Sequence, residues 1–134
     1  MRPTTMPIET VFSRINAVTG LSTPSPSDLL ARFERVPDVW AQLPNWEYLT
    51  DHVILKKLTL ERLPEGKLLM ISEASYQSQS GAFNVDAVDL AAFIQNHQKN
   101  FGESFFNGDA FIISLDCRYM WIFHHEGALA TFKF

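Results

Sequence analysis

The spacing of apolar positions changes along this chain, and the changes mark its elements. Ile8, Val11, Phe12 and Ile15 recur near helical spacing, and Gly20 is placed to stop a helix that starts at Pro7. Leu21–Asp28 is rich in Ser, Thr and Pro. There Ser25 can cap a second helix, Pro26 suits its first position and Asp28 sits where a capping-box acid belongs. Leu29, Leu30 and Phe33 give that helix an apolar face. Pro37 interrupts it and is expected to start a second short helical piece through Trp40 to Leu43.

From Val53 the period shortens. "VILKKLTLERL", Val53–Leu63, is rich in branched residues and roughly alternates. "PEGK", Pro64–Lys67, has turn chemistry, and "KLLMISEAS", Lys67–Ser75, follows. The pattern predicts a β-hairpin. Tyr76–Asn84 is polar and predicts a loop, with Asn84 or Asp86 capping the longest helix. Leu90, Phe93, Ile94, His97 and Phe101 form one stripe of that helix, which ends near Asn100 with Gly102 beyond it. Three strands are expected next, over Asp109–Leu115, Tyr119–His124 and Ala128–Phe134. Tyr119–Phe123 is apolar on both faces, the mark of a central strand. The long helix can cover one face, and the N-terminal helices or a partner subunit the other.

The expected fold is thus one α+β domain over 1–134, in the order α-α-β-β-α-β-β-β. A helical part lies at about 8–43, and a mostly antiparallel sheet of about five strands lies with the long helix at about 53–134. The ββαβββ run is similar in connectivity to profilin-like domains, which implies nothing about function.

Composition narrows the function classes. With 46% hydrophobic and 19% charged residues, the chain has ample material for a core and is not a disordered tail. The net charge of −4 argues against non-specific nucleic-acid binding, which needs a basic surface. A single cysteine excludes an internal disulfide. No apolar run reaches membrane-spanning length, and the N-terminus lacks the apolar stretch of a signal peptide, so a cytoplasmic protein without a membrane partner is expected.

Candidate chemistry gathers at the end. In "WIFHHEGALATFKF" two histidines and a glutamate stand between apolar runs. Neighbours in a strand point to opposite faces, so His124 and His125 are not expected to share one ion, and no metal or cofactor is expected. Pairing back from the "DCR" turn, Asp116–Arg118, places Phe111 near His124 and Asp109 near Glu126. Asn107, Gly108, Asp109, His124, His125 and Glu126 should then share one end of the sheet. That cluster reads either as a recognition surface or as two polar turns side by side. Cys117 lies about 20 Å from His124 at strand rise, which rules out a dyad between them. His97, on the apolar stripe, reads as a packed histidine with one nitrogen on a backbone carbonyl. Trp40 reads as core, while Trp46 and Tyr48 stay open between core and interface. The chain has no GxxxxGK[ST], GxGxxG, GxSxG or HExxH motif, so no catalytic residue is expected.

The stretch "FGESFFNGDAFIISLDCRYMWIFHHEG", Phe101–Gly127, resembles the C-terminal part of small bacterial immunity proteins of toxin–immunity and contact-dependent inhibition systems. The likeness lies in a helix, a "GD" turn, a strand, a Trp-bearing strand and a polar turn. It implies a cytoplasmic protein that binds a cognate toxin domain and blocks its active site, and a monomer or a homodimer is expected. The bottom-up candidates for that contact are Asp109, His124, His125, Glu126 and Glu103, with Trp46 and Tyr48 as anchors. A small metal- or histidine-dependent enzyme using His124, Glu126 and Asp109, and a ligand-binding or dimerising regulatory module, are the alternatives.

Overall fold

The computed structural model describes residues 4–20, 28–31, 40–58, 66–77 and 81–133. Among these residues the chain forms one seven-stranded antiparallel sheet with helices on both faces. The strands are β1 (Thr5–Met6), β2 (Trp40–Gln42), β3 (Lys67–Ile71), β4 (Ala82–Asp86), β5 (Ala110–Ser114), β6 (Tyr119–His124) and β7 (Ala128–Lys133). They lie in the order β1-β4-β3-β5-β6-β7-β2. The helices are α1 (Ile8–Thr19), α2 (Asp51–Leu58), the short α3 (Glu73–Gln77) and α4 (Leu90–Phe101), with a further helical segment at 28–31.

Alternation along the inner strands explains the three layers. In β6, Trp121 and Phe123 face one way, against Ile54 and Leu55 of α2, Leu90 and Ile94 of α4, and Phe105 and Phe106. Met120 and Ile122 face the other way, against Val11, Phe12 and Ile15 of α1 and Leu29 and Leu30. An inner strand apolar on both sides must be covered on both sides. Each large side chain so buried stabilises the fold by roughly 1.5–3 kcal/mol. The expected coverage by the long helix on one face and the N-terminal helices on the other is found.

Helix α1 ends as its sequence predicts. Gly20 takes the left-handed conformation, φ 75°, and its N–H donates to Asn16 O. Gly102 ends α4 in the same way, at φ 81°. The three C-terminal strands fall where their alternation places them.

Other expectations are corrected. Val53–Leu58 is helical, not the first strand of a hairpin. Thr50 caps it, its Oγ1 accepting from the Val53 N–H, with Asp51 in the first turn and Lys56 and Lys57 in the last. That charge order suits the helix dipole, and Ile54 and Leu55 are buried while both lysines are exposed. Strand β3 therefore pairs with β4 and β5. Ser72–Ser75 does not continue β3, because α3 begins at Glu73. Residues 82–84, expected in a loop, belong to strand β4. Asp86 starts a 3₁₀ turn at Ala87–Asp89 without a side-chain cap, its carboxylate paired with Lys67. Trp40–Gln42 is an edge strand on β7, not a helix. Ser25, Pro26, Phe33, Pro37 and Pro64 lie outside the described residues.

Candidate functional site

Two hairpins assemble one end of the sheet. The β5–β6 turn takes four residues, Leu115–Arg118, with Arg118 at φ 58°, and Ser114 pairs with Tyr119. This register sets Phe111 against Ile122 and Ala110 against Phe123. One step further, Asp109 comes opposite His124. The expected pairs, Phe111 with His124 and Asp109 with Glu126, are thus out of register because the turn is longer than three residues. The expected gathering of Asp109 with the two histidines does occur.

The β6–β7 turn is built from His125, Glu126 and Gly127. His124 pairs with Ala128, and the Gly127 N–H donates to His124 O at 2.8 Å, with Gly127 at φ 85°. A turn closed by a left-handed glycine is the favoured three-residue hairpin. Since β6 ends at His124, His125 escapes the alternation of the strand. The imidazoles do not diverge: they stack, with centroids 4.2 Å apart and planes at 27°. The premise that they point to opposite faces is therefore corrected.

Each ring is held. His124 is 8% exposed and lies edge-on to Trp40 of β2, and its Nδ1 accepts from the Glu126 N–H. His125 donates from its backbone N–H and from ring Nδ1 to Asp109 Oδ1. The Gln42 side-chain amide donates to the Glu126 and Gly127 carbonyls, tying edge strand β2 to the turn. Trp46 lies against Gly127 and meets Phe123 edge-on. Tyr48, one turn on, is 86% exposed. Trp40, His124, His125, Glu126 and Ala128 line an open cleft of about 290 Å³.

Carboxylates crowd the same end. The Glu73 side chain lies over Gly108, where a Cβ would collide with it. Its carboxyl is pushed above the usual range, first by burial and then by the charges of Asp109 and Glu103, with His125 opposing. The neighbouring Tyr76 hydroxyl is pushed up to about 12 by burial, then by Glu73 and Asp109. Glu103 also accepts at Oε2 from the Asn107 amide. Asp51, from the start of α2, accepts the N–H groups of Phe105 and Phe106 and so anchors the loop leading to Gly108. Sequence reading missed Glu73, Asp51 and Trp40. Glu73 and Trp40 sit in segments whose secondary structure was misread, and Asp51 acts across 54 residues.

His97 and Ser72 form a second polar pair, sealed in the core. His97 Nδ1 donates to Glu103 O at 2.7 Å, and Ser72 Oγ donates to Nε2 at 3.0 Å. Both residues are fully buried, and burial holds the imidazole below its usual pKa despite the carbonyl bond. The neutral tautomer that this requires leaves Nε2 as an acceptor. A serine–histidine bond resembles a nucleophile with its base, yet both side chains are fully buried. The pair ties β3 to α4 and to the loop after α4. Cys117 lies in the Leu115–Arg118 turn, at the far end of β6 from His124, with its N–H on Ser114 Oγ.

No helix of the described residues is long and apolar enough to cross a membrane. No protein-family model, curated protein or solved structure matches the chain.

Proposed function

We propose that the chain is an immunity protein that binds a cognate bacterial toxin domain in the cytoplasm and blocks it with the Asp109–Glu126 end of the sheet. The observation that carries this reading is the gathering of Glu73, Glu103 and Asp109, where the Glu73 carboxyl is raised first by burial and then by the charges of Asp109 and Glu103. Like charges held together on a rigid edge cost folding energy, and a basic partner repays that cost on binding. Glu126 stands exposed at the same end, and the exposed Tyr48 follows two residues after Trp46, which packs on Gly127 of that end, so an acidic patch lies beside an aromatic anchor. The net charge of −4 supports attraction of a basic partner over distance. The resemblance of Phe101–Gly127 to immunity proteins gives that partner its class.

The test is co-expression with the toxin domain encoded beside the gene, scored by cell survival and by binding of the purified pair. The expected result is a one-to-one complex whose association slows as salt rises. The double reversal Asp109→Lys with Glu126→Lys should abolish protection while the circular dichroism spectrum is kept. Full protection by that variant, or the absence of any complex with the neighbouring toxin, overturns the assignment.

A further inference from the structure

We propose that Asp109, His124 and His125 together bind a divalent transition-metal ion of the zinc class. One ligand atom from each of the three lies within 4.8 Å of the other two. Bonds of about 2.0–2.2 Å in a tetrahedral shell need ligand atoms roughly 3.3–3.6 Å apart. The three side chains must therefore close by little more than an ångström. His125 can supply that movement, because its side chain is 55% exposed and sits in a turn.

The hydrogen bonds of the two rings suit an ion. His125 donates from Nδ1 to Asp109 Oδ1, so its neutral ring keeps the lone pair on Nε2. His124 accepts at Nδ1 from the Glu126 N–H, so its neutral ring carries a lone pair there. An ion that takes that lone pair displaces one hydrogen bond between neutral groups. Both bonds to Asp109 use Oδ1, and a carboxylate has a second oxygen to offer. Two imidazoles and one carboxylate select a borderline ion such as zinc over calcium or magnesium, which take mostly oxygen ligands.

The surroundings fit an open site. The cleft beside the two rings gives access from solvent, and Glu126 lines it. Three protein ligands leave a position for water or for a side chain of a bound protein. Edge contact with Trp40 and the Glu126 N–H orient His124, the kind of support that ligating histidines receive. This inference does not depend on the toxin reading, and its test uses the isolated chain.

The full chain, stripped with a chelator, is titrated with zinc chloride by calorimetry and with cobalt chloride by visible absorption. The expected result is one ion per chain and the intense bands of low-coordinate cobalt. His125→Ala and Asp109→Asn should each weaken zinc binding by about tenfold or more. His52→Ala, an exposed histidine of α2, should leave it unchanged. In the unsubstituted protein, cobalt should shift the ring protons of His124 and His125 and spare those of His52 and His97. Substoichiometric binding, equal affinity in His125→Ala, or cobalt shifts centred on His52 overturns the proposal.

Discussion

His125 gives two donors to one oxygen of Asp109: its backbone N–H at 2.8 Å and its ring Nδ1–H at 2.9 Å. The two residues are 16 apart in sequence, and the contact clamps the β6–β7 turn onto the start of β5. Both side chains are partly exposed, so the clamp is worth little in global stability. Asp109→Ala should cost no more than about 1 kcal/mol in urea denaturation. Its local effect should be larger: the His125 amide should exchange with solvent much faster. An amide as slow in the variant as in the parent would show that the turn is held by something else.

The Asp109 carboxylate also bears on Glu73, whose pKa is raised first by burial and then by Asp109 and Glu103. A carboxyl with a raised folded-state pKa binds its proton more tightly in the folded chain. Its contribution therefore favours folding below its ordinary value of 4.5 and is lost as pH rises through the raised value. Glu73→Gln should accordingly gain stability at neutral pH relative to the parent and gain less in acid. Asp109→Asn should lower the Glu73 pKa, read from carboxyl carbon shifts across a pH titration. An unchanged Glu73 titration would show that the two carboxylates do not feel one another.

His97 sets the opposite slope. Burial holds its folded-state pKa below 6.5, so below that pH the unfolded chain takes up a proton that the folded core refuses. Stability should fall as pH drops from 7 through this range. His97→Gln keeps a donor and an acceptor between Glu103 O and Ser72 Oγ but cannot titrate. It should lower stability at pH 7 by about 1–3 kcal/mol and flatten the acid slope between neutral pH and the carboxylate range. Denaturant midpoints at several pH values for both proteins decide it, and an equal slope in the two would assign the acid sensitivity to other groups.

The legible parts of this fold are those where side-chain period and end signals agree. α1 and α4 combine a helical stripe with a terminal glycine, and β5, β6 and β7 combine alternation with short polar turns. His97 was also legible, since a histidine on a buried stripe must find a partner for its donor. The misread parts are those where two periods overlap. In Val53–Leu58 the apolar residues Ile54, Leu55 and Leu58 fit a helix as well as a strand, and the Thr50–Asp51 start signal decides between them. β2 has three residues and β4 starts inside a polar stretch, so strand character there comes from pairing with β7 and β3 rather than from local preference. The candidate site was legible as a neighbourhood, because the β6–β7 turn and the loop entering β5 must meet at one sheet end. Its details were not: a longer β5–β6 turn moved Asp109 from Glu126 to the histidines, and Glu73 arrives from a helix hidden by the misread segment.

Gly127 links the turn to the core, and replacing it tests that link. At φ 85° a Cβ is disfavoured by roughly 1–2 kcal/mol, and at this position it also runs into the Trp46 indole. Trp46 meets Phe123 edge-on with centroids 5.3 Å apart, a contact worth roughly 0.5–1.5 kcal/mol beyond its buried area. Gly127→Ala should therefore destabilise by about 2–3 kcal/mol and shift tryptophan fluorescence to the red as Trp46 is pushed toward water. The two contributions separate in a double-mutant cycle. With Trp46→Ala in the background, the alanine at 127 should cost only the backbone part. A full-size effect in that background would place the whole cost in the turn and none in the indole contact.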